Sequence, residues 1–436
     1  MNPSEESQTR ETYGKVRLEK AERQQVRMLV SSLDELIPSD HRVRMVWGMI
    51  EKMDMGKFYK KIAAYEGGAG RPAIDPRLLV GVWLYATLEG VGSARELARL
   101  CKEHIAYRWL MGDIKVNYHT LADFRVENEQ ELDGLLVQGV AVLMNEGVVK
   151  MEQTAQDGLR VRASAGAGSF RKKTKLEGYL EEAQQRVEEL KQEVKGHQGG
   201  MTRQQAAQKR AVEERQMRLK KALEEVQKIE KKRERSHHKK KSPAHEERCS
   251  QTDPEARYMQ MPAGEVRPAF NAELSIDVES GIIVGVDVVN EPDKGQMAPM
   301  LEQIHKSYGQ YPKEHLVDGG FATWKDIEDA HDNEVTVYSP LPKPNRKGQD
   351  PSKPRKTDGP GVKAWRERMT TEEAKEKYKR RAAAIEWANA LARMRGFQQM
   401  VVRGIRKVRS VLLWFALAHN LMQTVSLTNR QLQPVG

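Results

Sequence analysis

The feature that most constrains this chain is a change of hydrophobic period near residue 148. Before it, apolar residues recur at helical spacing through 28–64 and 75–145. After it come short runs rich in β-branched residues, bounded by Gly, Pro and Asp. VVKMEQTAQDG reads as a strand ending at Asp157, and RVRASA as a further extended piece. NAELSIDV (271–278) and GIIVGVDVV (281–289) read as a hairpin about a Glu-Ser-Gly turn. GQMAPMLEQIHKSYG is an amphipathic helix, HLVD a short buried strand and ATWKDIEDAHD another helix. VTVYSP is a strand stopped by proline, 340–362 a Pro-, Lys- and Gly-rich loop, and 371–395 a long helix. This order predicts a mixed α/β fold, a sheet flanked by helices.

A charged segment, 171–245, interrupts that pattern. Apolar residues at 180, 183, 187, 190 and 194 have coiled-coil spacing; GHQGG (196–200) breaks it, and Val212, Leu219, Leu223 and Val226 begin a second seam. An inserted coiled-coil hairpin is the natural reading. Its end, KKRERSHHKKK, is either a solvated terminus or a contact for a DNA backbone. His237 and His238 lack metal-ligand neighbours at site spacing.

In the N-terminal part, Pro76 opens an apolar helix that Gly90 and Gly92 end. Ser93 with Glu96 forms a capping-box pattern for ARELARLCKEH. Short helices follow, with Arg95, Arg99, Arg108, His119 and Arg125 distributed over them. They read either as a DNA-binding helix-turn-helix module or as a helical bundle with a solvated basic face. The expected organisation is a flexible tail (1–25), a helical N-terminal domain (26–146), a first core segment (147–170), the inserted hairpin (171–247), the remaining core (248–425) and a C-terminal tail (426–436).

Composition narrows the partners. Lys and Arg outnumber Asp and Glu by 73 to 62, a net charge of +11 that attracts polyanions. Cys101 and Cys249 form neither a CxxC pair nor a disulfide framework, and no zinc site is visible. The polar N-terminus is not a signal peptide, and the apolar run 411–421 is too short to span a bilayer. The chain reads as soluble and cytoplasmic.

Three acids stand out: Asp157 in TAQDGLRVRAS, Asp318 in EHLVDGGFATW, and Glu386 in YKRRAAAIEWANALAR. Both aspartates lead into Gly, as where a strand ends; Glu386 lies on a helix that must fold back beside them. Carboxylates brought together repel unless cations sit between them, and hard oxygen ligands suit Mg²⁺ or Mn²⁺. In a basic chain this suggests metal-assisted phosphodiester chemistry on nucleic acid. Each acid alone could be a solvated turn or surface residue.

At these residues the chain resembles the DDE transposases of bacterial insertion sequences, in the branch with an InsH-like helical N-terminal domain. The likeness runs over about 50–425. It is carried by IDPRLLVGVWLYATLEGVGSARELARLCKEHIAYRWLMG, YHTLADFR, AQDGLRVRASAGAGSFR, TDPEARYM, VRPAFNAELSIDVESGIIVGVDVVN, VDGGFATWKDIE, the Glu386 helix and RGIRKVRSVLLWFALAHNLM. The element order also matches an RNase H-like core, with acids on the first strand, the fourth strand and the last helix. The resemblance implies two Mg²⁺ or Mn²⁺ ions held by Asp157, Asp318 and Glu386. Tyr378, Arg381 and Arg393 occupy the family's Tyr, Arg and basic positions on the glutamate helix; Lys is commoner at the last of these, and Leu159 stands where many relatives have Thr. It further implies cleavage of double-stranded DNA at terminal inverted repeats, joining to target DNA, a homodimer on DNA, and a nucleoid-associated place in the bacterial cytoplasm. The alternatives are a catalytically inactive, transposase-derived DNA-binding protein and an assembly factor dominated by its coiled coil.

Overall fold

A computed structural model describes residue 24 and residues 30–65, 71–195, 202–235, 247–344 and 350–432. Most of the expected N-terminal tail, the GHQGG turn, the end of the basic run with His237 and His238, and the last four residues lie outside the described residues.

The helices before the sheet are α1 (Arg42–Lys52), α2 (Gly56–Tyr59), α3 (Pro76–Leu88), α4 (Ala94–Glu103), α5 (Ile105–Met111), α6 (Tyr118–Glu127) and α7 (Glu129–Asn145). Asp75 caps α3 ahead of Pro76, whose missing N–H costs nothing at a helix start. Ser93 caps α4 through the Glu96 N–H. The return half of the expected box is not formed; the Glu96 carboxylate pairs with Arg99 one turn on.

The sheet contains β1 (Gln153–Arg162), β4 (Arg257–Gln260), β5 (Val266–Asp277), β6 (Ile283–Val289), β7 (Glu314–Leu316) and β8 (Thr336–Tyr338). Its order is β4-β5-β1-β7-β8, with β6 also paired to β5. β1 is antiparallel to β5 and parallel to β7, and β7 is parallel to β8. The predicted hairpin is β5–β6, paired from Asn271↔Val289 to Ile276↔Ile283. Helices α10 (Met297–Tyr308) and α11 (Trp324–Asp332) connect β6 to β7 and β7 to β8. Helix α12 (Pro360–Arg368) emerges from the end of the Pro-rich segment read as loop, with its proline in the first turn, and precedes α13 (Glu372–Met394).

Strand β1 corrects the sequence reading: it does not end at Asp157 but runs on to Arg162, because β5 pairs with it from Thr154 to Arg162. Gly158 is a strand residue. An added Cβ there would overlap Asp293 and stand 2.6 Å from Asn271 Oδ1, so the side-chain-free position reflects crowding against the strand rather than a turn.

The inserted segment forms β2 (Phe170–Lys172), α8 (Lys173–Lys195), α9 (Arg203–Arg235) and β3 (Arg248–Ser250), with β2 and β3 pairing at its base. α8 and α9 bury Leu176, Ala183, Leu219, Ala222 and Val226 together with Cys249. Ion pairs Lys221–Glu255 (2.9 Å) and Lys232–Glu291 (2.6 Å) tie α9 to the body.

The last helix, α14 (Ile405–Leu432), joins the halves. Its start is capped by acids of the TDPEARYM block: Gly404 N–H donates to Asp253 and Ile405 N–H to Glu255. By length and composition, one helix among the described residues, Ile405–Asn429, could cross a membrane. Here its apolar residues, Val411 to Ala418 and Leu421, are core. They share one cluster with Trp83 and Leu84 of α3 and Leu274 and Val286 of the sheet, so packing is continuous across the boundary expected at 146–147.

Candidate active site

Register brings the two aspartates together. The last parallel pair of β1 and β7 is Ala155↔Leu316, and Asp157 and Asp318 each lie two residues further on. Asp157 still belongs to β1, held by β5 on its other side (Asp157↔Leu274), whereas the chain leaves β7 after Leu316 and turns. The turn is fixed by Phe321 N–H donating to the Asp318 carbonyl (3.0 Å), while the Asp318 carboxylate accepts the Gly319 N–H (2.6 Å). Asp318 is exposed and Asp157 half-buried.

Helix α13 lies over this edge. Arg381 Nη2 donates to Asp157 Oδ1 and Asn389 Nδ2 to Asp157 Oδ2, both at 2.9 Å. Burial pushes the Asp157 carboxyl above the usual carboxylate range; Arg381 and the Gly158 N–H oppose this, and the charges of Asp293 and Asp318 add to it. Burial likewise pushes the Tyr378 phenol up, with Arg381 opposing and Asp318 and Asp157 contributing. Asp157, Asp318, Tyr378 and Arg381 therefore share one electrostatic environment.

Glu386 is not in it. The residue is exposed and makes no hydrogen bond or ion pair among the described residues. The cause is helix phase. Arg381, Ile385 and Asn389 follow one another at four-residue spacing along the packed face, while Glu386 is turned about 100° from Ile385. Ile385 is fully buried. Arg393, seven residues and nearly two turns beyond Glu386, is exposed too. Of Tyr378, Arg381, Glu386 and Arg393, the first two therefore face Asp157 and the last two face solvent. Among the described residues no three His, Cys, Asp or Glu are grouped to hold a metal.

A polar network lies under the opposite face of β1, where alternate residues point. Arg160 holds Asp293 by two bonds (2.8 and 2.7 Å) and also bonds Asn271, whose amide donates to Asp293 (2.9 Å) and to Glu273. Gln156 donates to Glu273 (3.0 Å), whose carboxyl burial pushes up to about 8. Gly295 N–H donates to the Phe321 carbonyl (3.1 Å), so the loop that carries Asp293 also meets the Asp318 turn.

The basic residues singled out in the N-terminal helices differ in availability. Arg125 is buried, stacked 4.7 Å from Trp83 and bonded to the Gly92 carbonyl, and burial lowers its pKa to about 10. The structure therefore places it in the core rather than on the surface of these helices. Arg99 is paired with Glu96 and Glu103, and Arg108 with Asp113 (2.9 Å). Arg95 is exposed and stacks over Tyr118 (5.1 Å), which in turn lies 4.0 Å from the exposed His119 at the start of α6.

The molecule is thus a mixed α/β protein with an acidic site beyond the parallel strands of its sheet and a helical N-terminal part. Residues 31–127 match the family model of a transposase domain (DUF772), and residues 360–425 match that of a transposase DDE domain. The comparison with curated proteins gave no match. Carried in that order, the two transposase domains indicate a DNA transposase and are consistent with the DDE, insertion-sequence type.

Proposed function

We propose that this transposase cuts the ends of its insertion sequence and joins them to target DNA, with Asp157 and Asp318 at the centre of an RNase H-like core. The observation that carries the reading is the alignment of the two aspartates beyond β1 and β7. The strand order β6-β5-β1-β7-β8, antiparallel on one side of β1 and parallel on the other, supports it.

The donor set suits a divalent cation. Asp157 and Asp318 offer carboxylate oxygens, and the Asn389 Oδ1 is buried without a hydrogen-bond partner among the described residues. The carboxylates are hard oxygen donors of the kind Mg²⁺ or Mn²⁺ prefers, and the amide oxygen beside them is open to accept from a water such an ion retains. Asp157, Asp318 and Glu386 would hold two such ions, with Glu386 brought in by a change of its rotamer or of the helix. Bound cations would supply charge neutralisation at the scissile phosphate and favour deprotonation of the attacking hydroxyl. Arg381, now on Asp157, is the guanidinium placed to exchange that carboxylate for a phosphate oxygen, beside Tyr378. Arg393 offers a further cation to DNA from the solvent side of the helix.

Exposed Arg95 and His119, with Arg99 and Arg108 at the same helices, would meet double-stranded DNA at the terminal inverted repeats. Two ends joined in one reaction call for a homodimer on DNA, with the α8–α9 hairpin as brace or clamp. A divalent-metal-dependent nicking assay on DNA bearing the element's inverted repeats tests the reading. Wild-type protein should nick, and the Asp157→Ala, Asp318→Ala, Glu386→Ala triple variant should bind ends without nicking. Full cleavage by the triple variant, or none by the wild type, would end it; the latter is the behaviour of an inactive DNA-binding descendant.

A further inference from the structure

We propose that Asn389 is a positioning residue: it holds the Asp157 carboxylate for a divalent cation and offers its own oxygen to water carried by that ion. The proposal rests on the transposase reading above and adds to it a residue outside the three acids.

Asn389 is 5% exposed, in a stretch of α13 that is otherwise mostly alanine and apolar on its packed face. Asparagine is a poorer helix former than alanine, so its place there calls for a side-chain reason. One half of that reason is visible: Nδ2 donates to Asp157 Oδ2 at 2.9 Å. The other half is open, because Oδ1 is buried and has no hydrogen-bond partner among the described residues. A buried acceptor left without a donor is destabilising, and an ion's water is one partner that can satisfy it.

The two groups on Asp157 differ in what a cation does to them. Arg381 puts a positive charge on Oδ1, so it competes with a metal ion for that carboxylate. Asn389 is neutral and holds the other oxygen, so it can keep its bond while a cation takes the place of the guanidinium. Its amide then fixes the carboxylate's rotation, and its Oδ1 accepts from the hydrated ion, which Mg²⁺ and Mn²⁺ favour because they retain waters. Partners of this kind, one step removed from the metal, tune affinity by roughly 10–100-fold.

The test is Mn²⁺ binding to the full-length chain without DNA, followed by electron paramagnetic resonance, for wild type, Asp157→Ala, Asn389→Ala and Asn389→Leu. Asp157→Ala should abolish the specific site. Both Asn389 variants should weaken it by roughly 10–100-fold, with melting temperature and DNA-end binding kept. Excess Mn²⁺ should restore their cleavage, which a merely structural defect would not allow. A folded Asn389→Ala variant that binds Mn²⁺ like the wild type overturns the proposal, as does wild-type Mn²⁺ binding that ignores Asp157. Mn²⁺ binding that depends on both residues in a chain that cuts no DNA supports the role of Asn389 and removes the transposition reading alone.

Discussion

The helices at 94–127 and the carboxyl edge of the sheet both carry charged side chains, but they come by them differently. On α4 to α6 the charges answer to local needs. Arg99 balances two glutamates of its own helix, Arg108 an aspartate five residues on, and Arg125 fills the core beside Trp83. At the sheet edge, charges are set against one another by long-range register: Asp157 and Asp318 stand abreast although 161 positions separate their β1 and β7 neighbours. Charge that a fold can neutralise locally says little about function. Charge that it concentrates, and must then answer with an arginine from a third element, says much more.

Four outcomes would sharpen or break this contrast. The largest effect belongs to the sheet edge: Asp157→Ala and Asp318→Ala should each reduce cleavage below detection while end binding in a gel-shift assay is retained. Next, Arg125→Ala should lower stability by about 2–3 kcal/mol in a denaturant titration, since it removes a desolvated cation–π contact and a buried hydrogen bond. Arg99→Ala should leave the midpoint unchanged, because that guanidinium is solvated. Equal losses from the two would contradict the core placement of Arg125.

Gly158→Ala should cost about 1–3 kcal/mol through overpacking against Asp293 and Asn271, which Arg160 locks in place. It should also slow cleavage, since the displaced loop braces the Asp318 turn. A fully active and stable Gly158→Ala variant would show the loop to be free to move. Smallest, Arg95→Ala with His119→Ala should weaken end binding a fewfold and reduce its salt dependence by about one phosphate contact. An unchanged salt slope would remove this pair from the DNA surface.

Much of the fold was legible because hydrophobic alternation and turn residues act locally. The β5–β6 hairpin, α10, α11, β8 and α13 stand where periodicity puts them. The end of β1 was not legible. Asp-Gly is a common turn signal, and only the partner strand and the Asp293 loop reveal why a glycine sits inside a strand. The two aspartates could be read from their contexts; the phase of α13 could not. A helix whose polar and alanine positions are mixed gives little notice of which stripe will pack, and burial of Ile385 settles it with Asn389 inward and Glu386 outward. An asparagine four residues beyond Ile385, in an alanine-rich stripe, was the one available sign of Asn389. Arg125 shows the same limit: its burial follows from Trp83, Ser410 and Trp414, none of them near it in sequence.

Metal-specific rescue asks whether the aligned aspartates contact one divalent-metal centre. Asp157→Cys and Asp318→Cys would be assayed for nicking in Mg²⁺ and then in Mn²⁺ or Cd²⁺, ions that accept thiolate ligands more readily. Both variants should be inactive in Mg²⁺ and recover measurable cleavage with the softer ions, while the alanine variants should not. Full Mg²⁺-dependent cleavage by either cysteine variant would contradict that contact.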